Sequence, residues 1–243
     1  MNALRLESIV GHWAKKGSSL RVPDQGGISL SADIGEWILV AGRNGSGKTT
    51  FFEALCGFTD RMTGAIYLDG QLISLGNARS CFLAGIQYVP QRAFFSDNLF
   101  WNDAVDLMRC NRKALYNMEA ISDLHNRLCD LGLIKHAHPI EPRIFDLILA
   151  LLSVPRVLIL DEIAPSIEVC EIYTSVRELV PMTVVLFTDH DSKVGVKSSD
   201  SILWLKENIP PDFFSVKDRA KLNDFLENTA DRENNSDIRS AST

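Results

Sequence analysis

The residues best suited to chemistry form a glycine-rich loop between an apolar run, residues 37–41, and a second run that starts at Thr50. The loop reads Gly42-Arg43-Asn44-Gly45-Ser46-Gly47-Lys48-Thr49. Its glycines allow successive backbone N–H groups to point at one phosphate, and the N-terminus of the following helix adds positive potential. In such a loop Lys48 binds the β- and γ-phosphates and Thr49 binds magnesium. The sequence therefore predicts a site for a nucleoside triphosphate, with Mg2+, at residues 42–50.

Two further groups of polar residues follow buried-type strands. Asp161 and Glu162 come directly after the apolar run 157–160, and His190 lies just beyond the apolar run 184–187. In open α/β sheets, ligands bind at the carboxyl ends of the strands. We therefore expect Asp161 to hold magnesium, Glu162 to polarise a water molecule and His190 to contact the γ-phosphate. Taken alone, His190 would be an ordinary surface histidine.

The elements that must position these residues begin with short strands and then turn helical. Glycine-rich or polar turns separate the first strands, which predicts an antiparallel edge that leads into a central strand. An Asp-Gly turn then predicts a hairpin over residues 64–73, and residues 85–91 read as another β segment. Amphipathic spacing from residue 98 to residue 133 predicts an inserted helical lobe. The first strands are expected over residues 4–10, 19–22, 28–32 and 37–41.

Alternation of strands and helices then resumes, which predicts a parallel sheet. The expected elements are helices over residues 144–152 and 169–179 and strands over 157–160, 184–187 and 202–205. The fold class is thus α/β: a phosphate-loop NTPase core that combines a mixed sheet, flanking helices, an antiparallel β edge and an inserted α-helical subdomain. We expect the core to comprise residues 1–95 and 142–208 and the helical subdomain 96–141. Residues 209–228 form a C-terminal extension with a short helix over 216–226, and residues 229–243 are expected to be disordered.

Composition argues against several other classes of protein. The chain has 243 residues, 46% of them apolar, and its net charge of −6 without a basic run argues against a nucleic-acid partner. No apolar stretch approaches the roughly 20 residues of a membrane-spanning helix, and the N-terminus lacks the features of a signal peptide. The five cysteines contain no Cys-x-x-Cys pair, so their spacing indicates neither a disulfide framework nor a zinc site.

In their order and spacing these motifs resemble those of the ATP-binding cassette (ABC) ATPases, over residues 4 to about 206. Gln91, in the sequence Tyr88-Val89-Pro90-Gln91, resembles the Q-loop glutamine, which contacts magnesium and the attacking water. Asp161 and Glu162 resemble the Walker B aspartate and the catalytic glutamate, and His190 resembles the switch histidine. Residues 64–70 resemble the Gly-x-Ile-x-Leu-Asp-Gly hairpin of the family. The implied ligands are ATP and Mg2+.

The resemblance also implies a position for the adenine base. Trp13 lies where the family has an aromatic residue that stacks on adenine. The alternative is a half-buried aromatic residue of an ordinary strand. Together with the loop residues Gly42 to Thr50, Trp13 completes the set of expected nucleotide contacts.

The chain departs from the family pattern at the signature motif Leu-Ser-Gly-Gly-Gln. That motif is expected near residues 137–141, where this chain has Ala137-His138-Pro139-Ile140-Glu141. In the family it presents a serine hydroxyl and glycine amides to ATP bound on the opposite subunit. Here a proline removes an amide and a glutamate brings like charge. The following motif, normally Ser-Ala-Leu-Asp, reads Ser166-Ile167-Glu168, and Ile163 replaces the usual proline.

The resemblance implies partners as well as chemistry. A cassette of this kind drives a separate membrane-spanning transporter subunit from the cytoplasmic face of the membrane. The expected docking groove spans residues 92–101 and offers the aromatic anchors Phe94, Phe95, Phe100 and Trp101. Without a signature in this chain, a second ABC subunit that supplies one is the expected partner, unless the chain pairs with itself. Two alternatives stay open: a regulatory or assembly ATPase that moves no solute, and a kinase or other phosphate-loop NTPase.

Overall fold

The structure, a computed structural model, describes residues 3–15, 18–23, 25–59, 61–74, 76–95, 98–110, 118–163, 169–206 and 209–240. Two sheets and eight helices are present in these ranges. None of the described helices combines the length and apolarity that crossing a bilayer requires.

The three chemical motifs lie at the carboxyl ends of strands of the larger sheet. Its six strands lie in the order β11-β10-β4-β9-β8-β7, all parallel except the edge strand β11. Every residue of β8, β9 and β10 is buried, which explains their continuous apolar sequences. The strands are β4 (Trp37–Gly42), β7 (Ile86–Val89), β8 (Val157–Asp161), β9 (Val184–Thr188), β10 (Ser201–Leu205) and β11 (Asp212–Ser215).

The smaller sheet is antiparallel and packs against helix α1. Its order is β2-β1-β5-β6, with β3 also paired to β1. The helix α1 (Lys48–Leu55) buries Phe51 and Phe52 in a hydrophobic core shared by both sheets. The phosphate loop is thereby fixed between a rigid strand and a buried helix. The strands are β1 (Leu4–Lys15), β2 (Ser18–Val22), β3 (Ile28–Ala32), β5 (Arg61–Leu68) and β6 (Gln71–Ile73).

The helical lobe packs on the opposite face of the larger sheet. Leu128 and Phe145, on two different helices, are fully buried in one core with residues of β8 and β9. The lobe contains α3 (Trp101–Cys110) and α4 (Met118–Asp130), and α5 (Pro142–Leu152) connects it to the sheet. The remaining helices are α2 (Ala78–Ala84), α6 (Val169–Leu179), α7 (Ser192–Ser198) and α8 (Arg219–Ser240).

The fold class and the main elements predicted from the sequence are confirmed, with three omissions. The sequence reading missed α2, α7 and β11. Two of these had a local signal, because Asn77 caps α2 and Asp191 caps α7 through side-chain hydrogen bonds to backbone N–H groups. The strand β11 is too short for its periodicity to stand out.

The sequence predicts a short helix over residues 216–226 and disorder from residue 229, whereas α8 extends from Arg219 to Ser240. Phe225 anchors the first half of this helix in the core, where its ring lies 5.3 Å from that of Trp204 and 6.4 Å from that of Phe214. No proline or glycine follows within residues 219–240, so no residue type interrupts the helix after the anchor.

Candidate nucleotide-binding site

The phosphate loop depends on glycine at its last position. Gly47 has φ 92°, a left-handed value, and it precedes the first residue of α1. A Cβ atom at Gly47 would lie 2.5 Å from a methyl carbon of Val22, which is closer than atoms can approach. Both the backbone conformation and the contact with β2 therefore require glycine. The loop brings its N–H groups to the N-terminus of α1, as anion binding requires.

Lys48 is turned toward its own loop. Its Nζ atom donates hydrogen bonds to the carbonyl oxygens of Gly42, at 2.8 Å, and Arg43, at 3.1 Å. Burial lowers the pKa of Lys48, and the charges of Glu162 and Asp161 oppose that shift. The amine thus lies in a partly desolvated place between the loop and the two carboxylates, where a phosphate would gain most from its charge.

Asp161 is fixed from two sides at the end of β8. The Thr188 hydroxyl donates to its Oδ1 atom at 2.9 Å, and the Tyr88 hydroxyl donates to its Oδ2 atom at 3.2 Å. Burial, followed by the charge of Asp161, raises the pKa of Tyr88, which keeps the phenol protonated as a donor. Asp161 and Thr188 are partners in the register of β8 and β9. The carboxylate is therefore positioned before any ligand arrives.

Glu162, Gln91 and His190 meet at one carboxylate oxygen. The Oε2 atom of Glu162 accepts a hydrogen bond from Nε2 of Gln91 and lies 3.0 Å from Nε2 of His190. The chain turns sharply at Glu162, where φ is 49°, and its N–H donates to the Thr188 hydroxyl at 3.0 Å. The Glu162 side chain is 11% exposed and that of His190 is 61% exposed. This cluster is thus open to solvent on the histidine side.

Arg143 fixes the backbone beyond this turn. Its guanidinium donates hydrogen bonds to the carbonyl oxygens of Glu162 and Ile163, each at 3.2 Å. Arg143 belongs to the first turn of α5, so the N-terminal end of that helix is tied to the end of β8.

The segment predicted to replace the signature motif leads directly into α5. Ile140 is buried and its N–H donates to the carbonyl oxygen of Leu99 at 2.8 Å. Glu141 is the N-cap residue, and its carboxylate accepts a hydrogen bond from the N–H of Ile144 at 2.9 Å. Pro142 follows at the first helical position and has no N–H. A carboxylate of the chain itself therefore occupies the positive end of α5.

A small groove lies beside the Q-loop segment. We call it the aromatic groove; it has a volume of about 190 Å³ and is lined by Phe82, Tyr88, Phe94, Leu107 and Asp146 among others. Phe94 is 64% exposed, while Phe95 packs on Phe145 with ring centroids 5.2 Å apart. Of the four expected anchors, Phe94 and Phe100 are thus exposed, whereas Phe95 and Trp101 are half-buried. Ser96 and Asp97, within the same expected segment, lie outside the described residues.

Asp146 is the buried charge of the aromatic groove. It is 4% exposed, and its Oδ2 atom accepts a hydrogen bond from the N–H of Phe94 at 2.9 Å. The Oδ1 atom is buried and has no hydrogen-bond partner among the described residues. Burial raises the pKa of Asp146; the bond from Phe94 acts against the shift, and the charge of Glu141 adds to it.

The structure brings most of the predicted residues to one edge of the sheet. Lys48, Gln91, Asp161, Glu162 and His190 lie within this region, linked by the contacts given above. The other loop residues surround them: Arg43, Asn44, Gly45 and Thr49 are exposed, and Gly42, Ser46, Gly47 and Thr50 are half-buried. Trp13 lies on β1, but its side chain is outside the described part of the chain, and so are Ser166, Ile167 and Glu168.

Sequence reasoning missed Thr188, Tyr88 and Arg143. Thr188 ends the apolar run of β9 and could have been found as the polar residue beside Asp161 on the neighbouring strand. Tyr88 lies three residues before Gln91, and nothing in the local sequence indicates its bond to Asp161. No local signal identifies Arg143, because its partners lie 19 and 20 residues further along the chain.

The residues of the loop fit a nucleotide with Mg2+. The Ser46 hydroxyl is buried and has no hydrogen-bond partner among the residues that the structure describes. A phosphate in the loop would supply an acceptor for it. Thr49 and Asp161 offer a hydroxyl and a carboxylate, the oxygen ligands that Mg2+ prefers.

Comparisons with known proteins agree on one family. The family model described as "ABC transporter" matches residues 26–164. A putative ABC transporter ATP-binding protein of Bacillus thuringiensis subsp. konkukian is 25% identical over 209 residues, which is 77% of this chain and 37% of that protein. The ribose import ATP-binding protein RbsA of Caldanaerobacter subterraneus subsp. tengcongensis is 26% identical over 159 residues, 61% of this chain and 32% of that protein. The chain thus spans only about a third of the length of these relatives.

Solved structures show the same fold. The ATP-binding subunit of an ABC transporter superposes with a TM-score of 0.69 at 18% identity, over 91% of this chain and 93% of that one. The cbiO1 protein of Clostridium perfringens, described as part of the ABC transporter complex cbiONQ, gives a TM-score of 0.68 at 20% identity. That match covers 93% of this chain and 94% of cbiO1.

Proposed function

Because the chain belongs to the ABC transporter family of ATP-binding subunits, we propose that it binds Mg2+-ATP in the loop of residues 42–49 and drives a separate membrane-spanning partner. Members of this family bind ATP, typically with Mg2+. The observation that carries the proposal is the convergence of Gln91 and His190 on the carboxylate of Glu162, next to Lys48 and Asp161.

The roles of the residues follow from this arrangement. The amine of Lys48 exchanges its loop carbonyl partners for the β- and γ-phosphates. Glu162 accepts a hydrogen bond from the attacking water, takes up its proton as the bond to the γ-phosphorus forms, and the bond to ADP breaks. Gln91 orients that water and His190 contacts the γ-phosphate. Thr49 and Asp161 would hold Mg2+, with Gln91 nearby, and the ion would supply charge neutralisation at the phosphates. We also propose that the adenine base stacks on Trp13.

The proposed partner arrangement rests on the N-terminus of α5. In the family, this helix end faces ATP on the opposite subunit. The Glu141 carboxylate already accepts from the Ile144 N–H, and Pro142 offers no N–H, so an incoming phosphate would meet negative charge. Loss of one preorganised donor costs roughly 100- to 1000-fold in rate. We therefore propose slow hydrolysis by the chain alone and faster hydrolysis beside a second cassette that supplies a signature.

The aromatic groove is the proposed docking site for the membrane-spanning subunit. The exposed ring of Phe94 lies 6.5 Å from that of Tyr88, and the Tyr88 hydroxyl donates to Asp161. A partner that displaces Phe94 would therefore act through the Tyr88 side chain on Asp161, a proposed magnesium ligand. The buried Oδ1 of Asp146 also favours a partner that brings a hydrogen-bond donor into the groove. On this proposal the chain works at the cytoplasmic face of the membrane, without nucleic acid.

Recruitment by a membrane protein tests the function. The tagged full chain would be isolated from detergent-solubilised membranes of its native host, and co-purified proteins identified by mass spectrometry. We expect a polytopic membrane protein in the complex of the wild type, and we expect Phe94→Ala to remove it while nucleotide binding is retained. The matched control is Ile34→Ala, which truncates a 52% exposed residue elsewhere.

Absence of a membrane partner would favour the alternative function. A chain that stays out of the membrane fraction, with Phe94→Ala identical to the wild type, would support the regulatory or assembly ATPase that moves no solute.

A further inference from the structure

A cluster of two histidines and one cysteine lies in the helical lobe, away from the nucleotide site. His125 and Cys129 are four residues apart on α4, so they share one face of the helix. His136 comes from the segment that follows α4. One ligand atom of each residue lies within 4.8 Å of the others, and the His125 Nε2 atom is 3.9 Å from the Cys129 sulfur.

The segment after α4 is held in the conformation that returns His136 to the helix. Gly132 has φ 70°, its N–H donates to the Cys129 carbonyl at 2.9 Å, and the N–H of Leu133 donates to the Leu128 carbonyl at 3.0 Å. These two bonds form a Schellman motif, which ends α4 and reverses the chain direction. Ile134, the next residue, is buried. The approach of His136 to α4 is therefore set by backbone bonds and packing.

Aromatic contacts orient the first histidine. The His125 ring lies 4.8 Å from that of Trp101 in an edge-on arrangement and 4.9 Å from that of His136. His125 and Cys129 are half-buried, whereas His136 is exposed. The cluster thus packs against Trp101 through His125, and it is accessible to solvent at His136.

We propose that His125, Cys129 and His136 bind a Zn2+ ion. Two imidazoles and a thiolate are ligands that zinc prefers, and they do not suit Mg2+ or Ca2+. Zinc binds such atoms at about 2.0–2.3 Å, so the three ligand atoms need to approach one another by only about 1 Å. Three protein ligands leave the fourth tetrahedral position for a water molecule or a partner's side chain.

A cavity of about 250 Å³ adjoins the cluster at His125 and is lined, among others, by Asn102, Lys135 and His138. The segment that carries His136 continues directly to Ile140 and Glu141, which precede α5. A bound ion would therefore restrict the segment that leads to the proposed cassette interface. This site does not depend on the proposed function, since its ligands include none of the nucleotide residues.

The histidines explain why cysteine spacing alone gave no sign of zinc. The pattern His-x3-Cys-x6-His contains a single cysteine, so it includes no Cys-x-x-Cys pair.

Metal titration of the purified full chain tests the site. After treatment with a chelator and a reductant, Zn2+ alone would be titrated by calorimetry, and Co2+ would be added separately as a spectroscopic probe. We expect one equivalent of tightly bound Zn2+, a rise in melting temperature, and visible Co2+ bands of a tetrahedral site with a thiolate-to-metal transition. Cys129→Ser and His136→Ala should each weaken binding at least about tenfold and abolish the Co2+ bands.

Cys170→Ser serves as the control. It removes another half-buried thiol, outside the cluster, and should bind Zn2+ like the wild type. His136 is exposed, so His136→Ala tests the site without disturbing the core. The proposal is overturned by the absence of stoichiometric binding, or by binding that Cys129→Ser and His136→Ala leave unchanged.

Discussion

The carboxylate of Glu141 accepts a hydrogen bond of 2.9 Å from the backbone N–H of Ile144. This bond satisfies one of the donors that the N-terminus of α5 would otherwise present to a ligand. It also places negative charge at the positive end of the helix, which stabilises the helix and disfavours an anion there. The same side chain thus strengthens the fold and weakens the helix end as a phosphate site.

Glu141→Ala is expected to lower the free energy of unfolding by about 1 kcal/mol, because an N-cap is lost. Glu141→Asp retains a shorter capping carboxylate and should be milder. Chemical denaturation of the two variants and the wild type checks this. Equal stability of all three would show that the cap contributes nothing in solution.

Lys48→Ala is expected to weaken binding of Mg2+-ATP at least about 100-fold, because charged hydrogen bonds to the phosphates are lost in a partly desolvated place. The fold should be retained, since the hydrogen bonds that Lys48 donates within the described part of the chain go to loop carbonyls. Fluorescent nucleotide titration measures the effect, with the exposed Lys217→Ala as the control. Comparable affinity in Lys48→Ala would contradict the assignment of the loop.

Thr188→Val is expected to reduce both stability and nucleotide hydrolysis. The substitution keeps the side-chain shape but leaves Oδ1 of Asp161 and the N–H of Glu162 without the hydroxyl that they share. An unsatisfied buried polar group costs roughly 1–3 kcal/mol. Thr188→Ser retains the hydroxyl and should behave much more like the wild type. A Thr188→Val variant as stable and as active as the wild type would show that the shared hydroxyl contributes nothing.

Asp146→Asn is expected to stabilise the isolated chain at neutral pH while it weakens recruitment to the membrane partner. Asparagine can still accept from the Phe94 N–H but carries no buried charge. Since burial raises the pKa of Asp146 in the folded state, the wild type loses stability as pH rises through that pKa. The advantage of Asp146→Asn should thus be small near pH 4 and larger near pH 7.

Urea denaturation at both pH values tests this stability difference, with the exposed Asp123→Asn as the control. A gain that stays the same at both pH values would show that ionisation of Asp146 is not its source.

The sequence predicted the fold well because the buried strands and the glycine loop have strong local patterns. Residues 157–160 and 184–187 could be read as parallel strands from apolar composition alone, and their ends determined where Glu162 and His190 would meet. The bond between Arg143 and Glu162, by contrast, arises only when α5 packs beside β8. Long-range contacts of this kind have no periodicity to read.

The aromatic anchors illustrate a second limit. Phe94 and Phe95 are adjacent in the sequence and identical in type, yet one is exposed and the other packs on Phe145. Which of the two faces a partner depends on the direction of the chain after β7, and so Phe94 is the residue to change. The boundaries proposed for the core, the helical subdomain and the extension stay a prediction.

The most direct test of the proposed cassette arrangement is the mass of Glu162→Gln in the presence of Mg2+-ATP, measured by light scattering, together with the ATP turnover of the wild type. We predict that the chain binds ATP, keeps the mass of a single chain and turns over very slowly unless a cassette with an intact signature is added. An ATP-locked homodimer of Glu162→Gln, with brisk turnover by the wild type alone, would contradict it, because residues 137–141 would then serve as a working signature.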